Sequence, residues 1–434
     1  MTANTLSPRA GTNRRETTPP AALRALRRRL PEGGRIYAPG CAGEALAFVE
    51  AMRAEPALAD NATFLGVWIP GVNRVDYAQL HERARSELIF LSADVRASFE
   101  RGAARLRPLS YTQAYEWLGR TPLDAAFIQV SPPDRDGRCS LGVSADFTPA
   151  LNGREDIIRI AHINPLMPSP ARSPRLSIDT FDIVVEAAHA LLEYAPPALS
   201  PVFDAIAETI AARISDGDVL QFGLGNVQLA VLKALKGKRR LRIHSGMISD
   251  PVLDAVGAGV IAEGEGAITA GVALGSRALY DFAATDRRTV FAPVGHTHAL
   301  KTLSGVENFT AINSVIEVDL FGQANAEYIG GRQVSGAGGL VDFLRGAAAA
   351  PGGKPIVALA SAAKGGAVSR IVPRLNAASV SVARADMGLV VTEYGAADLR
   401  DLSVEERAKA LIAIAHPDHR ASLRKAWRAV REEI

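Results

Sequence analysis

Along most of the chain, short apolar runs of strand length alternate with longer segments whose apolar residues recur at i, i+3, i+4 and i+7. The runs RIYAPG, ATFLGVWI, ELIFLSA, AAFIQVS, VLQFGLG, LRIHSGM, TVFAPVG, SVIEVDL, KPIVALA and LVVTEYG predict strands. AGEALAFVEAM, VQLAVLKAL, PVLDAVGAG and VEERAKALIAIA predict amphipathic helices. Strand–helix alternation sustained in this way predicts an α/β fold of largely parallel sheets covered by helices. Residues 1–20 break the pattern: they are polar, rich in Thr, Arg and Pro, and without period, and predict a disordered tail rather than a targeting segment. The Pro-rich stretch EYAPPALSP, residues 193–201, predicts a linker between an N-terminal domain at 21–195 and a C-terminal domain at 196–434.

The two halves resemble each other. GCAGEALAFVEAM, from Gly40, and GLGNVQLAVLKAL, from Gly223, each follow a strand with a glycine-rich turn and an amphipathic helix. AAFIQVSPPDRDGRCSLG and SVIEVDLFGQANAEYIG then recur as strand and loop. Two such units in the same order predict an internal duplication, a pair of similar α/β domains.

Composition narrows the function. With 48% hydrophobic and 22% charged residues over 434 positions, the chain can bury a large core. Forty-nine basic against 46 acidic residues give no electrostatic case for nucleic acid or an anionic membrane. Two cysteines, Cys41 and Cys139, fit a reducing, cytoplasmic setting and exclude a disulfide scaffold or a four-thiolate metal site. No apolar run approaches the roughly twenty residues that span a bilayer. A multi-domain cytoplasmic enzyme is expected.

Three glycine-rich segments are candidates for chemistry. Gly223-Leu224-Gly225-Asn226-Val227 links the strand VLQF to a helix, where open N–H groups suit a phosphate or an oxyanion. A plain tight turn explains it equally well, and the third glycine of a dinucleotide fingerprint is missing. In Ser335-Gly336-Ala337-Gly338-Gly339, three glycines in four positions predict a backbone wall facing a ligand. Lys364, beside Gly365 and Gly366 after the strand PIVALA, is placed to meet an anion, although a solvated lysine is the simpler reading. The histidines make no metal site: His296 and His298 lack a carboxylate or thiolate at ligand spacing, and His416 and His419 end an apolar helix. Cys41, Cys139, Ser140 and Ser245 have no sequence partner that marks a nucleophile.

The order of these motifs is informative. FIQVSPPDRDGRCSLGVSADFT, DGDVLQFGLGNVQLAVL, INSVIEVDLFGQ, SGAGGLVDFLRGA, GGKPIVALASAAKGGAVSRIVPRL and LVVTEYGAADLRDLSVEERAKALIAIAHPDHR resemble the acetyl-CoA hydrolase and CoA-transferase family. The resemblance is to the branch of acetate and 4-hydroxybutyrate CoA-transferases, from about residue 30 onward. It implies two CoA-transferase-like α/β domains with the active site between them, usually in a homodimer. The implied substrates are an acyl-CoA and a small acceptor, with no tightly bound cofactor and no metal. It also implies ping-pong chemistry in which a glutamate carboxylate attacks the thioester and becomes a glutamyl-CoA thioester. Carried over by position, the amides of Val227 and Gly338 stabilise the oxyanions. Gly223, Leu224, Gly225, Asn226 and Val227, with Gly336, Gly339 and Lys364, contact coenzyme A.

The resemblance breaks at the nucleophile. Family members carry Glu within His-Ser/Thr-Glu-Met followed by Ser-Asp, and this chain reads His244-Ser245-Gly246-Met247-Ile248-Ser249-Asp250. Leu340 replaces a glutamine after the second glycine loop, and Gly388 stands where a histidine is common. Three expectations follow. Either water or an acceptor uses the room beside Gly246 for direct attack, with His244, Asp250 or His298 as general base, or Glu263, Glu265 or Glu327 reaches the slot and ordinary CoA transfer persists. The third is a non-catalytic CoA-ester-binding or partner subunit.

Overall fold

The computed structural model describes residues 14–195 and 200–432. They form two compact units. The first comprises the described residues up to Tyr194 together with Ala270–Gly295, and the second comprises Ala195–Thr269 and the chain from His296. This division differs at 270–295 from the expected single cut near residue 195. Backbone bonds hold that segment in the first unit, from Ala145 N to Gly271 O, Ala273 N to Val143 O and Val294 N to Asp146 O. Pairing between segments so distant leaves no local mark on the sequence.

The first unit is built on β1 (Arg14–Glu16), β2 (Gly34–Tyr37), β3 (Ala62–Leu65), β4 (Arg85–Leu88), β5 (Ala104–Leu106), β6 (Ala125–Val130), β7 (Ile158–Ile163) and β8 (Ile183–Glu186). They lie in the order β1-β8-β7-β6-β2-β3-β4-β5, all parallel. Alternate residues enter different cores: Ile36, Phe64, Phe127 and Ile160 on one face, Tyr37, Leu65, Ile128 and Ala161 on the other. Both faces are buried, as a parallel sheet with helical crossovers requires.

Part of the expected tail is ordered. Residues 1–13 lie outside the described residues, but β1 pairs with β8 and helix α1 (Pro19–Arg29) follows at once. Thr18 Oγ1 accepts the Ala21 N–H at 3.3 Å, and proline opens the helix. A backbone ladder and a cap order these residues without any apolar pattern. Part of the expected linker, residues 196–199, also lies outside the described residues.

The second unit contains β9 (Val219–Phe222), β10 (Arg242–Ile248), β11 (Phe309–Ser314), β12 (Lys354–Ala358), β13 (Leu389–Thr392) and β14 (Gly395–Asp398). Their order is β10-β9-β11-β12-β13-β14, parallel except for the final hairpin. The pattern around β9 repeats that around β2. In each unit this strand, β2 or β9, has its successor on one side and a later strand on the other, with three more beyond that one. After β2 come a glycine turn and helix α2 (Leu46–Ala54), and after β9 come another and α3 (Asn226–Ala234). The shared order is the architectural form of the duplication.

One strand expectation is displaced. SVIEVDL contributes only Glu317–Asp319 to a small three-stranded sheet, and the main-sheet strand is FTAINS just before it. Its Thr310 and Asn313 are buried, so an apolar-run criterion passes over it.

Two carboxyls in the first unit are buried and raised. Glu44 reaches about 7 because burial outweighs hydrogen bonds from Asn73 and Tyr77. Asp146 reaches about 7 because burial outweighs the Phe147 amide. Each folded-state value lies above the unfolded one, so each group contributes stability at low pH that is lost as pH rises from about 4 to 7. Glu44→Gln is expected to gain on the parent by on the order of 2–3 kcal/mol between pH 5 and pH 8. Urea unfolding at both pH values checks this, and a pH-independent difference would contradict it.

Candidate active site

Two faces of the β9–β10 corner carry the expected motifs. β9 ends at Phe222, and the chain turns through Gly223, Leu224 and Gly225 into α3. Gly225 has φ 127 and ψ −170, a region essentially reserved for glycine, while a Cβ there would meet nothing within 4 Å. Its glycine character is thus demanded by backbone direction, not crowding. That direction aims the opening of α3, whose first N–H groups have no partner within the helix, at the end of the sheet.

β9 has β10 on one side and β11 on the other, so the turn at its end stands at a switch point of the sheet, where α/β folds bind ligands. Gln221 and Asn313, on adjacent strands, exchange amide hydrogen bonds of 2.8 and 3.4 Å just below it. Above them is a cavity of about 340 Å³, lined by Leu224, Gly225, Asn226 and Val227, by Ser314, Val315 and Ile316, and by Ala358–Ala360, Ala362, Ala363 and Arg370. Gly223 is half-buried beneath this wall and does not line it.

The cavity's cation is not the expected one. Lys364 sits exposed at the tip of the hairpin formed by Ala362–Ala363 and Val368–Ser369, with φ 52. Arg370 lines the wall itself. The hairpin register, Ala362 opposite Ser369, brings Arg370 back beside Ser361, whose carbonyl accepts the Arg370 N–H at 2.8 Å. Glu393 fixes this base by accepting from Ser361 N at 2.8 Å and Ser361 Oγ at 2.7 Å. A sequence signal existed: an arginine six positions after a lysine, with two glycines between, is what a tight hairpin folds back.

Gly246 lies on β10, tied on both sides to the turn region. Ser245 Oγ donates to Phe222 O at 3.0 Å, and Gln228 Nε2 of α3 donates to Ser249 Oγ at 2.9 Å. The space beside Gly246 is filled, contrary to the expectation of room for water or an acceptor. A Cβ placed on it would stand 2.7 Å from His298 Cε1, 3.0 Å from His298 Nε2 and 3.7 Å from Phe343 Cζ. The same imidazole closes on the second glycine loop: a Cβ on Gly339 would stand 2.6 Å from both Cδ2 and Nε2. Gly338 takes φ 56 and is buried, Gly339 caps helix α4 (Leu340–Ala349), and Gly336 is half-buried ahead of them. The loop therefore meets a side chain here.

His298 is 2% exposed, packs against Phe343 with ring centroids 4.3 Å apart and planes tilted by 41°, and has Nδ1 2.9 Å from Thr297 Oγ1. Burial lowers its pKa to about 3, with His244 adding to the effect. His244 Nε2 donates to Thr297 O at 3.2 Å, and burial then His296 lower its pKa to about 4. Both rings are neutral at ordinary pH, and His244 steadies the segment that carries His298. His296 lies 5.7 Å from His244, centroid to centroid, and no cluster able to hold a metal occurs among the described residues.

The other candidates are placed elsewhere. Glu263 and Glu265 are exposed, while Glu327 accepts from Ser381 Oγ at 2.7 Å and Gln333 Nε2 at 3.3 Å, and none supplies the atoms nearest the Gly246 slot. Asp250 takes the N-cap position of the helix Pro251–Gly257. Leu340 belongs to the core with Val315, Val357 and Val390, so its loss of polarity serves packing rather than a ligand wall. Burial pushes the Cys41 thiol well up and that of Cys139 to about 11, which leaves both unreactive.

Comparison with known proteins places these observations. The model of the acetyl-CoA hydrolase/transferase N-terminal domain matches residues 26–186, and that of the C-terminal domain matches residues 275–427. The 4-hydroxybutyrate coenzyme A transferase of Clostridium kluyveri is 41% identical over 348 residues, covering 78% of this chain and 81% of that protein. The crystal structure of RipA from Yersinia pestis superposes with a TM-score of 0.87 at 28% identity, over 96% of this chain and 97% of that one. A 4-hydroxybutyrate CoA-transferase from Porphyromonas gingivalis gives a TM-score of 0.77 at 30% identity, over 97% and 98%.

Proposed function

Because the chain belongs to the acetyl-CoA hydrolase/transferase family, we propose that it processes an acyl-CoA thioester by direct attack, without the glutamyl-CoA intermediate. One observation carries the reading. The motif HSGMISD is intact around Gly246, and an imidazole rather than a carboxylate borders that position. The coenzyme's anionic portion is held at the α3 N-terminus and Arg370, with Lys364 as an outer contact. The amides of Val227 and Gly338 stabilise the oxyanion as an external nucleophile adds to the thioester carbonyl. The C–S bond then breaks, and coenzyme A thiolate leaves with the proton that the nucleophile gives up.

Two assays test this. With acetyl-CoA alone, thiol release is expected at a rate that propionate does not change, or the acyl group appears on a non-carboxylate acceptor. Propionyl-CoA formed at the expense of thiol release would overturn the direct route. Binding of coenzyme A esters with neither product would establish the non-catalytic alternative. The homodimer is also part of the proposal, and light scattering on the eluted protein checks it.

Arg370 and Lys364 make separable contributions. Arg370→Ala is expected to weaken coenzyme A binding about tenfold or more, the loss of a hydrogen bond to a charged group worth about 1.5–3 kcal/mol. Lys364→Ala, at an exposed tip, is expected to weaken it less than threefold. Calorimetric titration ranks them, and equal effects would return the anion site to the hairpin tip.

A further inference from the structure

The bare position on β10 and the buried ring beside it have complementary shapes. A β-carbon on Gly246 would stand 2.7 Å from the nearest atom of the ring and one on Gly339 2.6 Å, both inside ordinary contact distance. Phe343 packs against the ring with centroids 4.3 Å apart, and Thr297 Oγ1 holds Nδ1. Thr297 is in turn held by His244, which lies on the same face of β10 as Gly246 because side chains alternate along a strand. Three groups thus keep the imidazole where the first atoms of a longer side chain at position 246 would run.

We infer that His298 is the specificity-determining residue of this site, a plug that fills the nucleophile's room and closes the covalent carboxylate route. This rests on the acyl-CoA reading above. It goes beyond that reading in assigning the change of route to a pair of positions. An acidic side chain at 246 is opposed as long as the imidazole keeps this position, so absence of the carboxylate and placement of the ring belong together. The step being closed is explicit: a carboxylate oxygen would bond to the thioester carbonyl carbon, expelling coenzyme A thiolate and leaving a mixed anhydride.

The test uses the full chain with Gly246→Ala, Gly246→Glu, His298→Ala and the two corresponding double variants. Melting temperature is the first readout. Gly246→Ala should lower it with His298 present and leave it within about one degree with His298→Ala, a non-additivity that independent sites do not show. Equal effects of Gly246→Ala in both backgrounds would overturn the plug without any activity being measured. The second readout is propionyl-CoA formed from acetyl-CoA and propionate, with borohydride or hydroxylamine trapping at position 246. Gly246→Glu/His298→Ala should exceed Gly246→Glu alone by at least tenfold and carry the trapped adduct. A single variant as active as the double would overturn the inference, as would a folded double variant that binds coenzyme A by calorimetry yet shows no gain. If the unchanged protein has no affinity for coenzyme A, the acyl-CoA reading fails and this inference with it. A thermal coupling that survived would then mark only a packing pair.

Discussion

Gly225→Val is expected to lower kcat/KM for an acyl-CoA by about 100-fold or more while leaving the secondary structure unchanged by circular dichroism. The residue sits at φ 127 with open space around its Cα, so the cost is one of backbone conformation. Valine resists that region by about 1–3 kcal/mol, and relaxing to negative φ re-aims the peptide leading into Asn226 and Val227. These residues line the cavity, Val227 supplies one of the two amides assigned to the oxyanion, and loss of one such donor typically costs 10²–10³ in rate. Steady-state kinetics beside calorimetric titration checks it. An effect below threefold on both would remove this turn from the site.

The second large effect concerns stability. Gly388→His would put back the side chain that is common at this position in the family, and it is expected to destabilise the second unit by about 3 kcal/mol or more. A Cβ at Gly388 would lie 2.5 Å from both Pro355 O and Pro355 Cγ, on the neighbouring strand of a parallel pair. Relief requires moving β13 away from β12, and a backbone carbonyl cannot swing aside as a side-chain tip can. Urea unfolding gives the magnitude, and a midpoint equal to the parent's would show that the strands yield. Gly246 and Gly388 therefore differ in kind: at Gly246 the obstructing atoms end a rotatable side chain, whereas at Gly388 they include main chain.

Much of the fold was legible in the sequence because its causes are local. Period-2 and period-3.6 patterning placed the α/β units, and the repeat of strand, glycine turn and helix at Gly40 and Gly223 marked the duplication. Where polar residues occupy a buried strand, as in Phe309–Ser314, patterning failed, since the Gln221–Asn313 amide pair satisfies groups that read as exposed. The ordered residues 14–20 were missed for a related reason: a ladder and a cap need only backbone and one threonine.

At the candidate site, the chain's own letters gave two things: Gly246 within HSGMISD, where the family resemblance leads one to expect a carboxylate, and glycine-rich turns before and after it. Both depend on residue identity alone. Tertiary structure decided what fills the gap, because His298 lies fifty-two positions away and reaches Gly246 only through the packing of separate segments. It also decided that Arg370 rather than Lys364 lines the cavity, through a hairpin register that composition does not encode. Side-chain type sets the available chemistry, but the distances on which that chemistry depends arise when distant segments close against one another.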